Sequence, residues 1–288
     1  MFLAKIVGDF NKKGIWKSCI YWLRDSERSL NLKGGNSKRE MFFDNITMIK
    51  NYDSKITILL RNPEKIVYPV DIQEGIQTSW TNFIKNKNPK DFFNGNIYLV
   101  TSIEETANSL IINVGCSKYA DLIFAKTTNR LSVKSLFVAS YIVTDSGDVV
   151  VIKNRRNRIN TIGGMADTLD FENGYFNSFK CLSREWKEEL GIVLNDRETK
   201  FIAVPKYIKL PNAEENYNSV FPVGILYEVK TTLSVAELKE LFICNADNTD
   251  GEVIDLMVYN KDSFSTLLNN SNSEPYLYEL FQNHFNLV

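Results

Sequence analysis

The stretch NSFKCLSREWKEELGI, residues 177–192, decides how this chain folds. Asn177 is a residue type that caps helix N-termini, and Gly191 is the type that ends helices in a left-handed turn, so a helix of about four turns is expected between them. At about 100° per residue, Phe179, Leu182, Trp186 and Leu190 fall on one stripe that must be buried. Beside it stand Glu185, Glu188 and Glu189, at i, i+3 and i+4. Like charges so grouped repel by a few tenths of a kcal/mol per exposed pair. Lys180, Arg184 and Lys187 offset part of that cost, and a Glu-rich last turn is by itself more often a solvated face than a site.

Composition narrows the chemistry such a helix can serve. The chain has 288 residues and a single histidine, His284 near the C-terminus, which excludes a three-His zinc site and a 2-His-1-carboxylate iron site and argues against a Ser-His-Asp triad. Cys19, Cys116, Cys181 and Cys244 show no C-x-x-C spacing, so neither a zinc knuckle nor a disulfide scaffold is written here. A net charge of −1 gives no support to general nucleic-acid or anionic-membrane binding. The 44% hydrophobic fraction is enough to build a core. No apolar run reaches the roughly 18 residues of a membrane span. The opening MFLAKIVGDF is apolar too briefly for a secretory signal. With unpatterned cysteines, these features lead us to expect a cytoplasmic protein.

Outward from the helix, Leu136–Val143 and Val149–Ile152 are β-branched runs around Asp145-Ser146-Gly147-Asp148 and are expected to form a hairpin. Phe201–Ile208, Phe221–Val229 and Val253–Tyr259 are expected as strands, with helices at Val235–Leu241 and Tyr276–Phe285. Upstream, Ile72, Ile76, Trp80 and Phe83/Ile84 recur at helical spacing within Asp71–Lys87, before the Asn88-Pro89 stop. Asn96–Ser102 and Ser109–Val114 alternate as strands, and Lys126–Arg130 is expected as a linker. The first sixty residues offer only the short runs Ile15–Leu23 and Ile56–Leu60 around a Gly34-Gly35-Asn36 turn. This order implies an α/β or α+β sandwich, with a boundary near residue 130. Residues 1–130 would be a smaller mixed α+β domain of unknown role, and 131–288 the domain carrying the glutamates.

Gly163-Gly164, at the end of a strand, lets backbone approach a ligand closely, and a hard divalent cation wants the oxygen ligands that the glutamates supply. Here the residues resemble a known signature. Residues 184–192, REWKEELGI, match the second half of the Nudix box, G-x5-E-x7-R-E-U-x-E-E-x-G-U, at every specified position. The first half departs from it. Its glutamate falls on Phe176 and its glycine on Asp170, whereas Gly164 stands twenty residues before Arg184 instead of fourteen. An insertion of about six residues, forming a loop over Thr168–Phe176, accounts for the spacing. Asp170 or Glu172 is then a candidate for the missing carboxylate. More loosely, Trp80, Asn88-Pro89, Phe93-Asn94-Gly95 and Ile112–Tyr119 resemble the N-terminal extension of a Nudix subgroup that includes UDP-glucose-type pyrophosphatases.

The resemblance implies a Nudix-type α/β/α sandwich over residues 131–288. It also implies hydrolysis of a nucleoside diphosphate linked to another moiety, such as a nucleotide sugar or an ADP-ribose-like compound, with Mg2+ or Mn2+. Glu185, Glu188, Glu189 and the Gly164 carbonyl would hold the metal, Arg184 would orient Glu185, and Glu185 or Glu252 would be the base. Arg155, Arg156 and Arg158 are candidates to grip substrate phosphates. Tyr119, Trp80 or Tyr207 are candidates to stack on a base, although aromatics of this kind are more often core. Homodimerisation is common in the family. The alternative is a catalytically weak Nudix-like nucleotide-binding or sensor domain, suggested by Phe176 and the lengthened loop. A plainer one is an interaction module built on residues 1–125.

Overall fold

Leu136–Val143, the apolar run ahead of the Asp145–Asp148 turn, lies inside the central strand of a mixed α/β fold. The computed structural model describes residues 48–51, 57–85, 94–105, 109–172, 175–194, 200–210, 220–245, 249, 251–274 and 276–287. In chain order these form β1 (Met48–Asn51), β2 (Thr57–Lys65), α1 (Val70–Ile84), β3 (Asn96–Glu105), β4 (Leu110–Lys118), α2 (Tyr119–Thr128) and β5 (Val133–Thr144). There follow β6 (Val149–Asn154), β7 (Ile159–Asn160), β8 (Ile162–Met165), a 3-10 turn (Thr168–Asp170), β9 (Phe171–Glu172), β10 (Tyr175–Phe176) and α3 (Ser178–Leu190). The chain continues through β11 (Phe201–Leu210), β12 (Val220–Thr231), α4 (Val235–Cys244), β13 (Val253–Tyr259), a 3-10 segment (Phe264–Asn269) and α5 (Tyr276–His284).

The strands run in the order β1-β11-β12-β5-β3-β4-β2-β10-β9, with β8 also on β5, and β6 joining β5, β7 and β13. β12 lies parallel to β5 over its whole length, from Val220 opposite Val133 to Thr231 opposite Thr144. Strands from either side of residue 130 are hydrogen-bonded to one another: Leu99 of β3 is opposite Ser135 of β5, and Leu59 of β2 is opposite Tyr175 of β10.

Side chains along a strand alternate between faces, and β5 uses both. Leu136, Val138 and Ile142 join the core that holds Leu182, Trp186 and Leu190 of α3. Ala139 and Tyr141 join the core that holds Leu277, Leu280 and Phe281 of α5. The sheet is therefore covered by α3 on one face and α5 on the other, a three-layer sandwich. A third cluster packs α2 and β3 together through Leu122, Ile123, Ile97 and Leu99, with Trp80 and Phe83 of α1 against it.

Three expectations need correction or completion. The stretch expected as a linker at Lys126–Arg130 is in part the last turn of α2, which ends in the left-handed Asn129. Tyr119 to Ala125 are all buried, so the first two turns of this helix have no exposed face and leave no amphipathic period to read. The loop expected over Thr168–Phe176 is a 3-10 turn followed by a short β9–β10 hairpin, and the α-helix begins only at Ser178. The runs at Ile15–Leu23, Gly34-Gly35-Asn36 and Asn88-Pro89 lie outside the described residues.

Candidate functional site

The glutamate helix α3 is fixed at both ends as its sequence requires. The Asn177 side chain accepts the Lys180 N–H at 3.0 Å, and Gly191 ends the helix in a left-handed conformation with φ 69°. Its apolar stripe buries Leu182, Trp186 and Leu190 completely, each contributing about 1.5–3 kcal/mol. Trp186 also sets the rotation of the helix. Its Nε1–H donates to the Ser140 hydroxyl of β5 at 2.7 Å, which in turn donates to the Ile162 carbonyl at 3.4 Å. The residue after Ile162 begins the glycine pair, so one hydrogen-bonded chain registers α3 against Gly163-Gly164.

That registration brings strand backbone onto carboxylates. The Gly163 N–H donates to Glu189 Oε2 at 3.0 Å. A Cβ on Gly164 would lie 2.2 Å from Glu185 Oε1 and 2.5 Å from Oε2, so only glycine allows this approach. A Cβ on Gly163 would instead lie 2.2 Å from the Val138 carbonyl oxygen of β5.

Glu185 and Glu189 are each only 5% exposed. Burial pushes the Glu185 carboxyl up to about 7; the Arg184 charge pulls against this and the Glu188 charge adds to it. Arg184 Nη1 donates to Glu185 Oε1 at 2.6 Å and stands 3.6 Å from Glu188 Oε2, so a guanidinium edge lies between two of the glutamates. Burial alone would lower the Arg184 pKa, but the Glu185 and Asp170 carboxylates raise it and the side chain stays charged.

A hard divalent cation matches this donor set in kind, carboxylate oxygens beside a backbone cradle that a Cβ would fill, and the guanidinium between Glu185 and Glu188 marks where those oxygens draw positive charge. As placed, no three His, Cys, Asp or Glu side chains among the described residues gather closely enough to enclose an ion. Glu188 is the most exposed of the three glutamates.

Other expected site residues are placed as follows. Of the two candidates for the missing carboxylate, Asp170 is the one at Arg184: its Oδ1 accepts Arg184 Nε–H at 3.2 Å and its Oδ2 accepts Nη2–H at 2.9 Å. Glu172 instead pairs with Lys180 at 2.8 Å on the surface. Glu252 is buried just before β13, and its carbonyl accepts the Arg155 N–H at 2.9 Å. The structure does not gather it with two of the helix glutamates.

Arg155 and Arg156 are exposed on the turn after β6, and Arg158 is half-buried, 3.8 Å from Glu274. The Asn154 side chain ties this turn by accepting the Arg156 and Arg158 N–H groups. Tyr119 is 1% exposed with Trp80 edge-on against it at 6.0 Å, so it is sealed in the core and presents no stacking face, contrary to its expected role. Tyr207 is likewise buried, in the α5-side core. Sequence reasoning missed Ser140 and the Met165 carbonyl, which accepts Arg184 Nη2–H at 3.1 Å. Neither lies in the motif, and a lone serine within an apolar strand was the only signal for the first.

No family profile matches the chain, and no curated protein matches it. Among solved structures it is similar to a Nudix-family hydrolase from Clostridium perfringens, at 16% identity, covering 53% of this chain and 97% of that one with a TM-score of 0.33. It is also similar to a MutT protein from Methanosarcina mazei, at 13% identity, covering 55% and 96% with a TM-score of 0.31.

Proposed function

We propose that this chain is a Nudix-type pyrophosphohydrolase, dependent on Mg2+ or Mn2+. Its substrate would be a nucleoside diphosphate linked to another moiety, such as a nucleotide sugar or an ADP-ribose-like compound. One observation carries the reading: Gly164 is pressed against the Glu185 carboxylate while Arg184 spans Glu185 and Glu188, an arrangement that costs stability and that a solvated helix face has no need of. Glu185, Glu188 and Glu189, with the Gly164 carbonyl, would hold the cation. When bound, it neutralises diphosphate oxygens and lowers the pKa of an attacking water. Arg184 Nη1 holds Glu185 Oε1, which leaves Oε2 to take a proton from that water. Glu252 is the second candidate base. Arg155 and Arg156, on their exposed turn, would meet substrate phosphates, for which a guanidinium fork is suited.

The test is turnover. Purified protein with Mg2+ is expected to release product from a panel of nucleotide sugars, dinucleoside diphosphates and ADP-ribose. Glu189→Gln is expected to abolish release while keeping the fold, because glutamine retains an acceptor for the Gly163 N–H. Tight binding with no product from any compound would replace this reading with the sensor domain. Full activity in Glu189→Gln would mean the site lies elsewhere.

A further inference from the structure

Arg184 is gripped from two sides. Asp170, 0% exposed, accepts both Nε–H and Nη2–H, and its Oδ2 also accepts the Asp167 N–H at 2.8 Å, closing the 3-10 turn. A planar guanidinium fixed through Nε and Nη2 has its Nη1 edge left to offer, and that edge faces Glu185 and Glu188. The turn that carries Asp170 leads directly into the β9–β10 hairpin. Phe171 of that hairpin packs on Tyr98 of β3 with ring centroids 4.2 Å apart, and on Phe176 at 5.3 Å. The hairpin also pairs with β2, Tyr175 lying opposite Leu59. Both strands it leans on precede residue 130.

We propose that Asp170 is the positioning residue of Arg184, supplying from the 3-10 turn the carboxylate that Phe176 cannot, and that β3 and β2 hold it there. β3 does so through the tilted ring contacts of Tyr98, Phe171 and Phe176, and β2 through its pairing with β10. The upstream strands are thereby a working part of the glutamate site. The inference rests on the proposed reading of that site as a cation-dependent hydrolase. Without the Asp170 charge, Arg184 is free to swing fully onto Glu185 and Glu188, where it competes with a cation for the same oxygens.

The experiment uses the full chain and Mn2+ alone as probe, with binding followed by electron paramagnetic resonance and turnover measured in parallel. Asp170→Asn is expected to weaken Mn2+ binding about tenfold and lower kcat about 10- to 100-fold with little change in KM, the size seen when partners of metal ligands are lost. Asp170→Glu, which keeps the charge, should recover part of both. Tyr98→Leu should shift Mn2+ affinity in the same direction and speed solvent exchange of the Arg184 Nε–H, while Tyr98→Phe behaves as wild type.

Wild-type Mn2+ affinity and kcat in Asp170→Asn would overturn the proposal. So would equal losses in the Asn and Glu variants that track a lowered Tm, which is what a purely structural residue gives. Unchanged Mn2+ affinity in Tyr98→Leu would remove the upstream strands from the account. A wild-type chain that binds Mn2+ but hydrolyses nothing refutes the hydrolase reading alone, because the Mn2+ and exchange measurements still decide the role of Asp170.

Discussion

Gly163 and Gly164 are adjacent, and the same substitution at each should fail for a different reason. At Gly164 the atoms that an added methyl meets are the carboxylate end of Glu185, the flexible tip of a long side chain. The fold can absorb that by swinging the carboxylate aside, so Gly164→Ala should fold with a Tm close to wild type and lose about 100-fold or more in kcat, as displaced catalytic groups do. At Gly163 the obstacle is the Val138 carbonyl oxygen, part of a strand that cannot move alone, and φ is +154°. Gly163→Ala should therefore lower stability by about 1–3 kcal/mol or more, the cost of overpacking a core. Thermal melts and kcat measured on both variants check this. Wild-type turnover in Gly164→Ala would show that the Glu185 contact is incidental.

At the scale of elements, what could be read in the sequence followed from how much of each element faces water. α3 has a polar face, an Asn cap and a glycine stop, so its span, its buried stripe and its glutamate cluster were all legible, and the structure agrees to within a residue. The β5–β6 hairpin was legible because Asp145-Ser146-Gly147-Asp148 interrupts two β-branched runs. α2 was not, since its first two turns are buried all round and leave no period for hydropathy to follow. The β9–β10 hairpin was legible only as a long spacing between the glycine pair and Arg184. Strands of two residues, Phe171–Glu172 and Tyr175–Phe176, are too short to carry an alternation, and what holds them is pairing with β2 and ring packing on Tyr98. The same limit applies to Asp170. Its position showed that a carboxylate was available, but the choice between it and Glu172 needed the turn that buries one and exposes the other.

Across the whole molecule, two buried carboxylates, Glu228 and Glu185, lie on opposite faces of one sheet, and they should respond independently. On the α5 face the only histidine, His284, lies with Nδ1 3.2 Å from Glu228 Oε2, which also accepts the Tyr141 hydroxyl at 3.1 Å. Burial would raise the Glu228 pKa, but the His284 hydrogen bond and the Lys206 charge prevail and lower it. His284→Ala should thus cost about 1–3 kcal/mol by removing a partner of a buried carboxylate, with kcat unchanged; a lost kcat would place the histidine in the chemistry.

On the α3 face the sign is opposite. Glu185, held near 7 when folded, binds more proton in the native than in the unfolded chain between the ordinary carboxylate range and neutrality. Its contribution to stability is complete below that range and is lost as pH rises through about 7, a decline on the order of a few kcal/mol at most. In EDTA the wild-type Tm should therefore fall between pH 5 and pH 8 relative to that of Glu185→Gln, which has no carboxyl to ionise. A cation that binds the ionised site adds stability by mass action where the carboxylate is charged. Saturating Mg2+ should accordingly raise the wild-type Tm most at the alkaline end and leave Glu185→Gln much less affected. Parallel wild-type and variant curves in EDTA would mean that Glu185 is an ordinary surface carboxylate. A pH-independent Mg2+ effect, equal in both proteins, would place the cation away from the glutamate helix.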